Sequence, residues 1–284
     1  MPIKVENLIH IYNENSPYET IALDHINVEI QDGDFVGIIG HTGSGKSTFI
    51  QHLNGLLKPK SGKIYIDDTD ITDKKIKAAE IRRKVGLVFQ YPEYQLFEET
   101  VYKDVAFGPK NLGLEDIEVE RRVKDAIQMV GLDYEDIKDK SPFDLSGGQK
   151  RRVAIAGVIA MKPQVLILDE PTAGLDPKGH KEILQIIKNM HVKEKNTILL
   201  VSHNMVDIAE LADKIIVMEK GKIVLTGTPQ EVYEKADYIE KIGLGLPPAM
   251  MLMRALKQRG KKVETNIMTI DEAEEQIINL IRSK

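Results

Sequence analysis

The chain has no cysteine in its 284 residues. Disulfides, thiolate metal sites and cysteine nucleophiles are therefore excluded, and the composition suits a reducing compartment. It also lacks any long apolar run. The two longest, residues 153–161 and the proline-broken residues 242–253, fall well short of the ~20 residues that a membrane-spanning helix needs. If the protein serves a membrane process, another subunit must supply the membrane. Positive charge is not in excess: 39 Lys and Arg against 44 Asp and Glu leave a net charge of −5. That balance argues against a nucleic-acid backbone as the main partner. The opening residues, Met1-Pro2-Ile3-Lys4-Val5-Glu6, do not read as a signal peptide. What remains is an ordinary globular composition, 42% hydrophobic and 29% charged, long enough for one large domain or a domain with an appendage.

The stretch that organises the chain is Gly40-His41-Thr42-Gly43-Ser44-Gly45-Lys46-Ser47. It follows the β-branched run Phe35-Val36-Gly37-Ile38-Ile39 and precedes Thr48-Phe49-Ile50, which reads as the opening of a helix. Strand, glycine-rich turn and helix form the context in which G-x-x-x-x-G-K-[ST] cradles phosphate. The backbone N–H groups of such a loop converge on an anion, and the new helix adds its positive end. Lys46 is expected to reach the β/γ-phosphates. The Ser47 hydroxyl is expected to join a Mg²⁺ shell. Residues 40–48, ending at Thr48, form the expected nucleotide-binding loop.

Taken in order, residues 3–11 read as a strand ending at Tyr12, and residues 26–30 as a second, turning into the strand before the loop. That predicts an antiparallel β lobe on an α/β core. Residues 62–66 and 85–90 read as further strands, the latter closing on Gln90. Residues 91–113 hold Pro92 and Pro109 and read as loop. Residues 116–131 carry Val119, Val123, Ile127 and Val130 on one helical face. Leu145-Ser146-Gly147-Gly148-Gln149 opens an apolar helix over 150–161. Residues 165–168 and 197–201 are continuous apolar runs of buried-strand type. Asp176-Pro177 is an N-cap with proline at the first helical position, and Thr228-Pro229-Gln230-Glu231 and Thr269–Glu272 are capping boxes. Domain boundaries are expected at 1–236 for the main domain and 237–284 for a helical extension. The extension is too short to bury a core alone, so it packs on the main domain or on a partner.

Asp169 and Glu170 close an apolar strand, where α/β sheets place their ligands. Beside bound Mg·ATP the two carboxylates have separate jobs: Asp169 holds the metal and Glu170 polarises the attacking water. Phosphoryl transfer leaves the protein mainly positioning and charge stabilisation. His203 ends the next buried strand, where it can hold that water in line. A lone histidine would carry little by itself; its place in the series gives it weight. Gln90, a strand-terminal amide, can touch the metal or the water. Ser146, Gly147, Gly148 and Gln149 form a helix N-terminus with exposed N–H groups. On its own this reads as a weak anion site or as a plain N-cap, since one helix end is worth only ~0.3–2 kcal/mol.

Together these residues resemble the ordered motif set of ABC-transporter ATPase subunits. Gly40–Ser47, Gln90, Leu145–Gln149, residues 165–170, Ala173-Gly174-Leu175-Asp176 and His203 all stand in sequence, and the likeness spans residues 1 to about 236. It implies the fold class: an α/β P-loop NTPase of ABC type, with a mixed-sheet core, an antiparallel β lobe and a helical signature subdomain, followed by the C-terminal helices. It implies ATP and Mg²⁺ as cofactors, with Ser47, Gln90 and Asp169 around the metal. It also implies that Tyr12 stacks on adenine, with Tyr18 a weaker candidate. Two such domains pair head to tail, each signature closing over the other's ATP, so a second ATPase subunit is implied.

Residues 90–111, with Asn54-Gly55-Leu56 and Arg151-Arg152-Val153-Ala154-Ile155-Ala156-Gly157, are similar to the energy-coupling-factor (ECF) importers of vitamins and transition-metal ions. The chain looks most like the second ATPase of those heterodimers, peripheral on the cytoplasmic face of the membrane. A transmembrane coupling subunit and a separate substrate-binding membrane subunit are then partners, and nucleic acid is not. In that family helices of the coupling subunit present arginines, so Glu93, Glu98, Glu99 or Asp104 is expected to meet them. Asn204 stands where many relatives carry Asp. The alternatives are an ATPase of another importer class and a non-transport ABC ATPase acting on nucleic acid or ribosomes; the single phosphate loop and the acidic balance speak against the latter.

Overall fold

The computed structural model of the chain describes residues 2–282. Its strands form two sheets. The four-stranded sheet has the order β2-β1-β4-β5, from β1 (Ile3–Tyr12), β2 (Thr20–Ile30), β4 (Ser61–Ile66) and β5 (Thr69–Asp70), all antiparallel. The six-stranded sheet has the order β10-β9-β3-β8-β7-β6. It comprises β3 (Phe35–Gly40), β6 (Val85–Val88), β7 (Val165–Asp169), β8 (Thr197–Val201), β9 (Lys214–Glu219) and β10 (Lys222–Gly227). Here β6, β7, β8, β3 and β9 run parallel, and β10 returns antiparallel to β9. Strand β2 extends six residues further back than its apolar end at 26–30. The extra length comes through register shifts against β1, with His25 in a left-handed conformation.

Every residue of β3, β6, β7 and β8 is buried, because both faces of a parallel sheet are covered. The two faces are separated by side-chain alternation. Phe35, Ile39, Leu166, Leu168, Ile198 and Leu200 enter one core with the helices. Val36, Ile38, Val165, Ile167, Leu199 and Val201 enter a second core with the antiparallel sheet.

The helices are α1 (Lys46–Leu53), α2 (Ala78–Lys84), α3 (Val101–Asn111), α4 (Asp116–Met129), α5 (Tyr134–Ile137), α6 (Gly147–Ile159), α7 (Pro177–Glu194), α8 (Met205–Leu211), α9 (Pro229–Tyr233), α10 (Ala236–Lys241), α11 (Pro248–Gln258) and α12 (Ile270–Arg282). Helix α3 corrects the expectation of loop over 91–113. Thr100 caps it by accepting from the Lys103 N–H at 3.2 Å. The Asp104 carboxylate accepts from the Phe97 and Glu98 N–H groups at 2.9 and 3.0 Å. Val101, Val105 and Ala106 bury one face, and Pro109 lies in the last turn, so the ladder bond it cannot donate falls near the end of the helix. Ahead of α3 the chain makes one 3₁₀ turn, Pro92–Gln95.

The capping residues read from the sequence do their work. Asp176 accepts from the Gly179 N–H, and Ser146, Thr228 and Thr269 each pair reciprocally with the residue three positions on. Asn204, the departure from the family pattern, caps α8 by accepting from the Val206 N–H, a task its amide oxygen performs as an aspartate would. In the C-terminal extension Leu244, Leu246, Met250 and Met268 join the helix-side core of the main domain. Ala249, Met253, Ile267 and Ala273 form a small cluster of their own. Along α12, Ala273 is buried while Ile270 and Ile281 are exposed.

Candidate functional site

The strand order β3-β8-β7-β6 lays four loops side by side at one edge of the sheet. The phosphate loop follows β3, His203 follows β8, Asp169 and Glu170 end β7, and Gln90 follows β6. Residues separated by up to 163 positions thus become neighbours for a topological reason. Ser47 Oγ donates to Asp169 Oδ2 at 3.1 Å. The Glu170 carboxylate is held from two sides, accepting from Gln90 Nε2 at 3.3 Å and lying 2.7 Å from His203 Nε2.

Two glycines of the loop are required by its own packing. A Cβ on Gly40 would sit 2.4 Å from the Met218 carbonyl oxygen and 2.5 Å from Ser44 Oγ. Gly45 has φ +102°, and its Cβ would lie 2.5 Å from the Ala22 carbonyl oxygen. Lys46 is buried and donates to the Gly40 and His41 carbonyls at 2.6 and 2.9 Å. Burial holds its pKa below the usual lysine value, against the opposing pull of Glu170 and Asp169. Burial likewise raises the Asp169 pKa, which the Ser47 hydroxyl offsets in part. Ser44 Oγ is buried with no hydrogen-bond partner among the described residues. A buried lysine beside two carboxylates, on a glycine-rich loop that opens a helix, suits a polyanion carrying its own counterion. A hydroxyl and a carboxylate oxygen at hydrogen-bond distance are the donor set a hard, oxygen-seeking cation takes. Among the described residues no cluster of three or more His, Asp or Glu could hold a metal unaided.

Tyr12 stands at the flank of this loop, its hydroxyl 3.2 Å from Thr48 Oγ1, with 38% of the residue exposed. Tyr18 lies in a surface turn and is 80% exposed. Beneath Tyr12 the structure adds a pair that sequence reasoning missed. His10 meets the Tyr12 ring edge-on at 4.5 Å, and His10 Nδ1 lies 3.1 Å from His52 Nε2. His52 Nδ1 donates to the Thr48 carbonyl at 2.7 Å, so its Nε2 is the acceptor from His10. Burial drives the His52 pKa down to about 4. His52 is therefore neutral when folded and protonates in the unfolded chain below about 6.5. Its contribution to stability is complete above pH 6.5 and is lost as the pH falls towards 4, amounting to roughly 3 kcal/mol over that window. Urea midpoints measured from pH 7.5 to 4.5 should fall steeply for the native chain and less steeply for His52→Gln; equal slopes would refute the attribution.

The loop also touches the C-terminal extension, which the sequence did not suggest: His41 Nε2 meets the Ile242 carbonyl, and its ring packs beside Gly243. Ser146, Gly147, Gly148 and Gln149 stand apart from all of this. Ser146 caps α6, accepting from the Gln149 N–H at 3.3 Å, while the Gln149 Oε1 accepts from the Ser146 N–H at 3.0 Å. A Cβ at Gly147 or Gly148 would meet nothing within 4 Å.

Of the four acids after Gln90 expected to offer a contact to a membrane subunit, two are engaged within the chain. Glu93 accepts from Arg151 Nε and Nη2 at 3.0 and 2.7 Å, and Asp104 is spent on the turn before α3. Glu99 pairs with Lys103 on the surface at 2.5 Å.

Comparison with known proteins agrees with this geometry. A family model described as ABC transporter matches residues 23–173. The chain is 59% identical over 284 residues to the energy-coupling factor transporter ATP-binding protein EcfA2 of Clostridium tetani, covering all of this chain and 99% of that protein. It is 63% identical over 282 residues to EcfA2 of Caldanaerobacter subterraneus subsp. tengcongensis, covering 99% and 98%. Among solved structures, cbiO1 of Clostridium perfringens, described as part of the ABC transporter complex cbiONQ, superposes with a TM-score of 0.74 at 42% identity, covering 89% of this chain and 98% of that one. The ATP-binding cassette MJ0796, solved as a dimer in a post-hydrolysis state with ADP and Pi, gives 0.70 at 29% identity, covering 80% and 98%. The chain belongs to the ATP-binding subunits of energy-coupling factor transporters, ABC ATPases that bind and hydrolyse ATP to drive an importer.

Proposed function

We propose that Glu170, Gln90 and His203 form the hydrolytic centre, with residues 40–48 holding the phosphates and Tyr12 stacking on adenine. One observation carries the reading: a single carboxylate at the end of a buried strand is gripped by an amide and an imidazole, one residue beyond the partner of Ser47. Glu170 takes a proton from the water as its oxygen attacks the γ-phosphorus, and the bond to the bridging oxygen of ADP breaks. His203 and Gln90 hold water and carboxylate in line. Ser47 and Asp169, with Gln90 beside them, would hold Mg²⁺, which would screen the charge of the phosphate oxygens.

The signature residues 146–149 close over the ATP of a second ATPase subunit. What supports this is that a Cβ at Gly147 or Gly148 would meet nothing among the described residues within 4 Å, so smallness at these positions serves something approaching from outside. Residues 1–236 are then the ATPase domain and residues 237–284 the helical extension. Among the described residues no helix is long and apolar enough to cross a membrane, and the subunit works peripherally at the cytoplasmic face. It passes its motion to a transmembrane coupling subunit, while a separate membrane subunit selects the vitamin or metal ion.

The docking face for that coupling subunit is a groove of about 400 Å³ between α2, α3 and α6. Phe97 and Phe107 meet edge-to-face at 4.9 Å on its wall, and both are exposed, an arrangement suited to receiving an apolar helix. The test is the assembled transporter in proteoliposomes, assayed for ATP turnover and uptake together. Changing Phe97 and Phe107 both to Ser should lower uptake per ATP at least tenfold while MgATP affinity of the purified chain stays within twofold. Unchanged uptake would remove the groove from the coupling path.

A further inference from the structure

The signature helix α6 carries one residue that its apolar surroundings do not account for. Arg151 is 2% exposed, the largest fully buried side chain among the described residues. Removing a guanidinium from water is costly unless charge and hydrogen bonds replace the water. Here they do so by reaching into two other loops. Nε and Nη2 donate to both oxygens of Glu93 at 3.0 and 2.7 Å. Nη1 donates to the carbonyls of Pro171 and Ala173 at 3.2 and 2.6 Å. The guanidinium carbon lies 5.8 Å from the centre of the Tyr91 ring.

Both loops begin with an unusual residue. Tyr91, next to Gln90, has φ +56°, and Glu170 has φ +49°. Left-handed backbone at a non-glycine persists only where the surroundings enforce it. Each residue opens a tight turn, the first closed by Tyr94 N–H to the Tyr91 carbonyl and the second by Ala173 N–H to the Glu170 carbonyl, both at 3.1 Å. Arg151 grips a residue within each of these turns, Glu93 in one and Pro171 and Ala173 in the other.

We propose that Arg151 is a positioning residue for hydrolysis: from the signature helix it clamps the turns at Tyr91 and Glu170 so that Gln90 and the Glu170 carboxylate stay in register. The consequence is a direct link between α6, whose tip meets the partner's nucleotide, and the γ-phosphate side of this chain's own site. Displacement by about 1 Å of groups in a reacting geometry costs on the order of a hundredfold in rate. The inference rests on the roles assigned above to Gln90 and Glu170.

The experiment compares native protein with Arg151→Lys, Arg151→Met, Glu93→Gln and Glu170→Gln, each assembled with the second ATPase subunit and the membrane subunits. Arg151→Met should lower kcat about 10–100-fold and Glu93→Gln about 3–10-fold, with Arg151→Lys recovering part of the loss. The Kd for MgATP, set by residues 40–48 and Tyr12, should stay within threefold. The double variant Arg151→Met, Glu93→Gln should be no slower than Arg151→Met alone, because both act through one contact. A purely structural role would instead lower the fraction of folded, nucleotide-binding protein and leave kcat per bound ATP unchanged. The proposal falls if kcat stays within twofold of native in Arg151→Lys and Glu93→Gln, or if kcat and affinity fall in parallel. If Arg151→Met does not fold, Glu93→Gln and Arg151→Lys decide by the same limits. Normal turnover in Glu170→Gln would overturn the site assignment instead, so the two failures are told apart.

Discussion

Glu170→Gln is expected to bind MgATP with native affinity and to hydrolyse it about 10²–10⁴ times more slowly, the range a positioned general base contributes. The amide is nearly isosteric with the carboxylate, and its oxygen can still accept from Gln90 Nε2, now at 3.3 Å from Glu170 Oε2. The geometry at the end of β7 is therefore retained while the proton acceptor is removed. Affinity is set elsewhere, by the loop after β3 and by Tyr12. Steady-state release of phosphate and equilibrium binding of a fluorescent ATP analogue separate the two quantities. Loss of affinity together with rate would place Glu170 in binding, and near-native turnover would defeat its assignment as the base.

Gly147→Glu is expected to abolish turnover of the assembled ATPase pair, by about a hundredfold or more, without harming this chain's own nucleotide binding. A Cβ at Gly147 meets no atom of the described residues within 4 Å, so the isolated subunit should fold and melt as the native one does. In the closed pair the added carboxylate would point at the triphosphate held by the other subunit. There it would replace favourable N–H groups and a helix N-terminus with like charge. The measurement is ATP turnover of the pair beside ATP affinity and melting temperature of the isolated chain. Native turnover would mean that the signature does not approach the partner's nucleotide, and lost folding would mean that the glycine serves the chain itself.

Which parts of this molecule could be read from its sequence follows from the range of the interactions involved. The phosphate loop was legible because its chemistry lies within eight consecutive residues and its strand–turn–helix context is local. The four buried strands were legible because a strand covered on both faces must be apolar throughout. The N-caps at Ser146, Asp176, Thr228 and Thr269 were legible because each involves partners three residues apart. Helix α3 escaped because Pro92 and Pro109 punctuate its segment, while the groups that secure it, the Thr100 hydroxyl and the Asp104 carboxylate, act on N–H groups that no periodicity reveals. Glu93 is the instructive miss. In sequence it is one acid among several on a surface-like stretch, whereas in the fold it neutralises an arginine 58 positions away.

By itself, then, the sequence determined the chemical groups, their order and the strands that end in them, since these depend on composition and on short-range periodicity. Only the tertiary structure decided which of those groups meet. The strand order β3-β8-β7-β6 brings Gln90 and His203 to the Glu170 carboxylate, the approach of α1 to β1 sets His52 against His10 beside Tyr12, and Arg151 of α6 is buried between two turns. The physical reason is that strand order and side-chain burial are settled by packing apolar surface across the whole chain, a collective balance that no local window contains.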